Sequence, residues 1–287
     1  MNELEKVEGK PHAVAEHWSQ GGDMAQSINM MLDDSGVDGV GALEDKLKLI
    51  AEIDHFHGGS LETTEIVRRN MAISNVPNQV GLDIGGGVGG PMRWFALKTG
   101  AKMHEVDITP VFVDISNGIT NRLGMKDVCN AQLGDATDLE FPEDTFDFAT
   151  MMAVSPNITD RQKLYRSIAK VLKPGGLIGM LDLTQGPNPI IFPTPWSRDG
   201  SPTTSKMLTN EQTVEEARKA GLSLAASQDV SGEVLQWFEN EQKELAAGRS
   251  IGREKYLPDY KEMVDNQIRN LREDRLKFEC LVFRKNV

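Results

Sequence analysis

Apolar residues recur along the middle of this chain in short, nearly continuous runs, and amphipathic stretches separate one run from the next. The runs at 79–84, 102–106, 127–132, 145–152 and 176–183 have the length and composition of strands, whereas 88–99, 110–123 and 161–172 carry apolar residues at helical spacing. A run such as Phe146-Asp-Phe-Ala-Thr-Met-Met152 is apolar on both of its faces, as a strand covered from both sides must be. Strand and helix alternating in this way predict a parallel sheet with helices on both faces, and a ligand at the carboxyl ends of its strands.

The flanks follow other rhythms. Residues 12–18, 25–32 and 43–53 are helical in pattern but are interrupted by Gly21-Gly22 and by Asp33-Asp-Ser-Gly-Val-Asp-Gly39. They are expected to form a cap over the ligand edge of the sheet. Ser60 has the chemistry of an N-cap for a helix running to about Met71, and Pro77 ends that stretch. Residues 185–204 are rich in Pro, Gly and Ser, a composition suited to a lid or a linker. A helix over 209–220, a strand over 222–230, charged helices over 233–247 and 256–272, and an alternating strand over 276–284 complete the chain. The expected division is a helical cap over 1–76, a sheet core over 77–184, a lid over 185–208, and the end of the sheet with inserted helices over 209–287.

A length of 287 residues suits one core domain with appended helices. No apolar run approaches the roughly 18 residues of a membrane span, and the charged first ten residues lack the apolar centre of a secretory signal. The expectation is a cytoplasmic protein without membrane contact. A formal charge of −12 with no basic cluster argues against nucleic acid as a partner. The two cysteines, Cys129 and Cys280, are far apart in sequence and are expected to be buried structural thiols, with no metal site.

The candidate chemistry begins where the first strand, ending in Asp83-Ile84, runs into Gly85-Gly86-Gly87-Val88-Gly89-Gly90-Pro91. Five glycines allow positive φ in a tight strand-to-helix turn and let a ligand approach the backbone. The amides opening the next helix would face that ligand. Gly85, Gly87 and Gly90 also satisfy the dinucleotide pattern G-x-G-x-x-G, which keeps a nicotinamide-dependent oxidoreductase open. Asp83, however, is a carboxylate where a diphosphate would be repelled and a cationic ligand welcomed. A second strand ends in Asp107, about twenty residues past the turn, where an acid grips ribose hydroxyls.

After Asp107 come Gly134-Asp135-Ala136-Thr137-Asp138-Leu139, Phe141-Pro142-Glu143-Asp144-Thr145-Phe146-Asp147 and Val171-Leu172-Lys173-Pro174-Gly175-Gly176. This ordered series, from about Val80 to Asp182, resembles the class I S-adenosylmethionine-dependent methyltransferases. The resemblance implies an α/β, Rossmann-like, doubly wound and mostly parallel sheet whose last strand is antiparallel. It implies S-adenosylmethionine as cofactor, with S-adenosylhomocysteine as product. By the same resemblance Asp83 and the backbone of Gly85, Gly87 and Gly89 surround the methionine and ribose, Asp107 accepts from both ribose hydroxyls, and Asp135 takes the adenine amino group. Ile108 and Ala136 flank the base, and Met152 joins the cofactor-binding set. Helix capping is the plain alternative for Asp107 and Asp135.

Catalytic candidates are fewer, because an in-line methyl transfer asks mainly for placement and exclusion of water. Asp54-His55-Phe56-His57-Gly58-Gly59 resembles a segment that closes over the cofactor in such enzymes. His57 is the first candidate for orienting or deprotonating the nucleophile, with His55 beside it; capping or packing is the plain alternative. Asn157 follows the fourth strand, where it would hydrogen-bond a ligand or form a turn. Phe192, Trp196 and Trp237 are either core or aromatic faces for a cation. The arrangement looks similar to glycine, sarcosine and dimethylglycine N-methyltransferases and to natural-product methyltransferases. A small amine or amino acid is therefore the first expectation for the acceptor, an O- or S-methyl acceptor the second, and a non-catalytic binding subunit a rival of another class. The acidic outer helices leave a homodimer open.

Overall fold

The alternating core folds as its pattern dictates. In the computed structural model, which describes residues 14–16, 18, 24–73, 76–202, 204–250, 253–255, 257 and 259–287, seven strands form one sheet. The expectations placed on residues 1–13, His17, Gly21-Gly22 and Tyr256 lie outside the described residues. The strands are β1 (Val80–Ile84), β2 (Lys102–Asp107), β3 (Cys129–Leu133), β4 (Phe146–Met152), β5 (Leu172–Gln185), β6 (Leu222–Asp229) and β7 (Leu276–Lys285). Their order is β3-β2-β1-β4-β5-β7-β6. The first five run parallel, and β7 lies antiparallel between β5 and β6.

The helices are α1 (Met24–Asp34), α2 (Leu43–Leu49), α3 (Ala51–Asp54), α4 (Ser60–Met71), α5 (Gly90–Thr99), α6 (Pro110–Arg122), α7 (Arg161–Val171), α8 (Asn210–Lys219), α9 (Ser231–Ala246) and α10 (Tyr260–Arg272). Helices on the two faces of the sheet enclose separate cores. One holds Phe95, Phe148, Val67 and Phe278; the other holds Phe146, Tyr165, Ile178 and Phe283. Fully buried side chains of this size each contribute about 1.5–3 kcal/mol over exposure. A third cluster, with Ile28, Leu32, Ile50, Phe112 and Ile115, fastens α1 and the chain before α4 to α6. Both cysteines are buried and free, and burial pushes each thiol up to about 12. No helix among the described residues is long and apolar enough to cross a membrane.

Two local expectations are corrected. The stretch 43–53 is not one helix: Ile50, at φ −96 and ψ 3, separates α2 from α3. Ser60 does not cap α4. Gly59 holds that place in the left-handed region at φ 82, and Ser60 Oγ instead donates to the carbonyl of Ala51 at 3.1 Å. The hydroxyl is spent on anchoring the 55–59 segment to α3. Residues 186–208 carry no helix or strand of length and lie beside the ends of β4 and β5. Asn157 holds them there by donating to the carbonyls of Trp196 (2.9 Å) and Thr204 (2.8 Å).

Candidate active site

The carboxyl ends of β1, β2 and β4 open on a cavity of about 480 Å³. Gly85, Gly86 and Gly87 form one wall, with Gly85 at φ 65 and Gly87 at φ 62, both in the left-handed region that favours glycine. A β-carbon on Gly87 would meet no atom within 4 Å, so it would stand in the space a ligand needs. Asp107, Ile108, Asp135, Ala136 and Met152 also line the cavity. Seven of the nine residues expected to bind the cofactor therefore line a single cavity.

Asp107 ends β2 with its carboxylate at the cavity wall. Its Oδ2 accepts from the amide of Gly87 at 3.0 Å and its Oδ1 from the amide of Thr109 at 2.8 Å. Burial raises its pKa to about 6, while those two amides pull the other way. Asp135 accepts the amide of Thr137 at 2.8 Å, so a turn and a site role coexist in one side chain. Phe56, Val106 and Phe112 add apolar surface suited to a flat base.

Asp83 and Gly89, also expected at the cofactor, do not line this cavity. Asp83 is fully buried beneath the turn, where Thr150 Oγ1 donates to its Oδ1 at 2.7 Å. It pairs across the sheet with Glu105, and the two carboxyl groups lie under Gly86, whose missing β-carbon would touch both. Burial raises the Asp83 pKa to about 6; burial and the nearby Asp83 charge raise that of Glu105. Gly89 precedes α5 at φ 85, and a β-carbon there would strike Ser116 Oγ and Arg93. Both residues support the turn from below.

His55 belongs to the same foundation and does not line the cavity, so its expected catalytic role falls away. Its Nδ1 lies 2.7 Å from Asp54 Oδ1, and Asp54 Oδ2 accepts from Arg93 Nη2 at 3.0 Å. Arg93 is wholly buried and also donates to the carbonyls of Val88 and Ser116. This Asp54–Arg93 pair pins the 54–57 segment to the start of α5. Asn157 lines the cavity, but its amide is committed to the 186–208 segment and works as a tether.

His57 alone of the catalytic candidates faces two spaces at once. A second, smaller cavity of about 70 Å³ meets the first at Trp18, Phe56, His57 and Ala153. Ala153 turns the chain out of β4 at φ 59, a conformation costly for a residue with a β-carbon and one that collects at functional sites. The imidazole of His57 is buried between two threonines, with Thr63 Oγ1 at 3.2 Å from Nδ1 and Thr64 Oγ1 at 3.1 Å from Nε2. Thr63 directs its own hydroxyl hydrogen to the carbonyls of Gly58 and Ser60, leaving its oxygen to accept from Nδ1–H. Thr64 then donates to Nε2, and the ring is satisfied as a neutral species. Burial, and the His55 charge beside it, lower its pKa to about 3. A ring so held is a fixed polar wall rather than a proton acceptor.

The second cavity is walled by Trp196, Trp237, Phe238, Tyr260 and Phe278, with Arg253 and Gln267. Its elements are far apart in sequence: the 55–59 segment, the 186–208 segment, α9, α10 and β7. Of the three aromatic residues expected as core or cage, Trp196 and Trp237 line this cavity and Phe192 lines neither; Phe238, Tyr260, Phe278 and Gln267 carried no such signal in the sequence.

Residues 82–180 match a family of methyltransferase domains. The chain carries a methyltransferase domain. Methyltransferase GfsG of Streptomyces halstedii is 31% identical over 102 residues, 36% of this chain and 37% of that protein. The chain spans about a third of the length of curated relatives of this kind. Among solved structures, the geranyl diphosphate C-methyltransferase of Streptomyces coelicolor has a TM-score of 0.72 over 96% of this chain and 97% of that one, at 16% identity. Phosphoethanolamine N-methyltransferase 2 of Haemonchus contortus has a TM-score of 0.71 over 82% of this chain and 55% of that one, at 18% identity. Likeness at these identities is a likeness of fold. The sheet agrees with it: a doubly wound dinucleotide sheet continues with a sixth parallel strand, whereas here β7 reverses between β5 and β6.

Proposed function

We propose that this chain is an S-adenosylmethionine-dependent methyltransferase acting on a small molecule, with the cofactor in the larger cavity and the acceptor in the smaller. The observation that carries this reading is an open left-handed Gly87 hydrogen-bonded to Asp107 at the edge of one cavity, in a chain that bears a methyltransferase domain. The two solved neighbours were captured with S-adenosylhomocysteine, which supports the same cofactor here. S-adenosylmethionine supplies a methyl group on a sulfonium centre. Asp107 would take the ribose hydroxyls, Ile108 and Ala136 the faces of the base, and Asp135 its amino group. The backbone of Gly85 and Gly87 would border the remainder, with Met152 at the end of β4. His57 and Ala153, where the cavities join, would orient the acceptor, and Trp196 on the 186–208 lid would keep water out.

The amine expected as acceptor has weaker support. Among the described residues lining the second cavity, the sole formal charge is the Arg253 cation, itself paired with Glu52 at 3.6 Å, and no carboxylate in the lining would pair with a protonated amine brought there. This favours a neutral acceptor, such as a hydroxyl or thiol. Isothermal titration with S-adenosylmethionine, S-adenosylhomocysteine and NADH tests the cofactor assignment. Micromolar binding of the first two and none of the third is the expected outcome; the reverse preference would sink it.

A further inference from the structure

The second cavity contains polar groups whose needs can be counted. Trp237 spends its Nε1–H on Glu52 Oε2 at 3.2 Å, and Tyr260 donates its hydroxyl to Glu241 Oε1 at 3.1 Å. His57 is satisfied by Thr63 and Thr64, and Arg253 is engaged with Tyr260 and with the carbonyls of Glu52 and His55. Two groups differ. Trp196 is 4% exposed and Gln267 1%, yet Trp196 Nε1 and Gln267 Oε1 have no hydrogen-bond partner. Both residues line the second cavity and neither lines the first. A buried donor or acceptor left unmet is more costly than the bond it would make is favourable, so such groups are rarely left without a partner.

One N–H and one carbonyl oxygen on side chains that line a common, largely apolar space specify their complement. A hydroxyl accepts from the first and donates to the second; an ammonium can only donate, and a carboxylate can only accept. The surrounding Phe238, Phe278 and Trp237 rings suit a flat or alicyclic body. We propose that the acceptor is a small neutral molecule with an apolar ring, anchored by a hydroxyl between Trp196 Nε1 and Gln267 Oε1. Its reacting atom is then directed toward His57 and Ala153, where the two cavities join. This assignment rests on the methyltransferase reading for the identity of the acceptor, and on the two unmet polar groups alone for the chemistry recognised.

Four probes of similar size separate the outcomes: phenol, its isostere toluene, benzylammonium and benzoate. Each is titrated by ligand-observed NMR into the full chain, with and without saturating S-adenosylhomocysteine. Phenol is expected to bind about tenfold more tightly than toluene and more tightly than either ion. Trp196→Phe and Gln267→Met keep the ring and the bulk while removing the N–H and the amide. Each should lower phenol affinity to about that of toluene and leave the affinities for toluene and S-adenosylhomocysteine unchanged. Equal binding of phenol and toluene, preference for an ion, failure of both neutral probes to bind, or variants that bind phenol normally would each overturn the proposal. Loss of S-adenosylhomocysteine binding in the unmodified protein would instead strike the cofactor assignment, and the phenol–toluene comparison made without it would still stand.

Discussion

Asp107 holds its carboxylate between two backbone amides at the cavity wall, and burial raises its pKa to about 6. Ribose hydroxyls need the ionised form as acceptor, so binding favours loss of the proton. Affinity for S-adenosylhomocysteine should accordingly be highest above pH 6 and fall as the pH drops through that value, because the free protein must then give up a proton to bind. Asp107→Ala should weaken binding by about 1–3 kcal/mol and abolish this pH dependence. Titrations at pH 5 and pH 7.5 check both, and an unchanged affinity in the variant would remove Asp107 from the site. Asp107 was legible in the sequence because it ends a strand about twenty residues past the glycine turn, whereas Ile108, Asp135 and Ala136 were singled out only by the resemblance. Asp83 was legible as a carboxylate near the end of a strand but not as one buried beneath the turn. Whether a carboxylate at a strand end points toward or beneath the turn depends on the pleat of β1 against β2, where it pairs with Glu105.

Among the elements, the glycine turn and α5 depend on a foundation laid by α3. Arg93 and Asp54 are both wholly excluded from water and bonded to one another, and Arg93 also satisfies the carbonyl of Val88. Arg93→Met fills much of the same volume but leaves Asp54 buried without its cation. A loss of about 3–5 kcal/mol in unfolding free energy is expected from denaturant titration. A loss below about 1 kcal/mol would mean that the pair does not hold the turn. The turn and its flanking strands were readable because glycine and period-2 patterns act locally. The 54–59 segment was not: its histidines have no helical or strand period, His57 is held by Thr63 and Thr64 of α4, and His55 by Asp54, which Arg93 of α5 anchors. Ser60 misled for a related reason. Its hydroxyl carries the chemistry of a cap, but the fold uses it on Ala51, nine residues back.

Across the whole molecule, the carboxyl ends of the strands border the larger cavity, while the smaller is assembled from pieces up to about 260 residues apart, Trp18 to Phe278. The alternation of runs from 77 to 184 was sufficient to predict the parallel core, and the strand β7 followed from alternation near the chain end. No such rule foretold that Phe56, Trp196, Trp237, Tyr260, Gln267 and Phe278 would meet. Each has the sequence pattern of an ordinary core or surface position, and it is tertiary packing that turns them toward one space. The account as a whole stands on the larger cavity being the cofactor's. A crystal structure of the protein grown with S-adenosylhomocysteine tests that most directly. The nucleoside is predicted in the 480 Å³ cavity with its ribose on Asp107 and its base between Ile108 and Ala136. Density for the nucleoside at any other place, or with Asp107 free of it, would contradict the account.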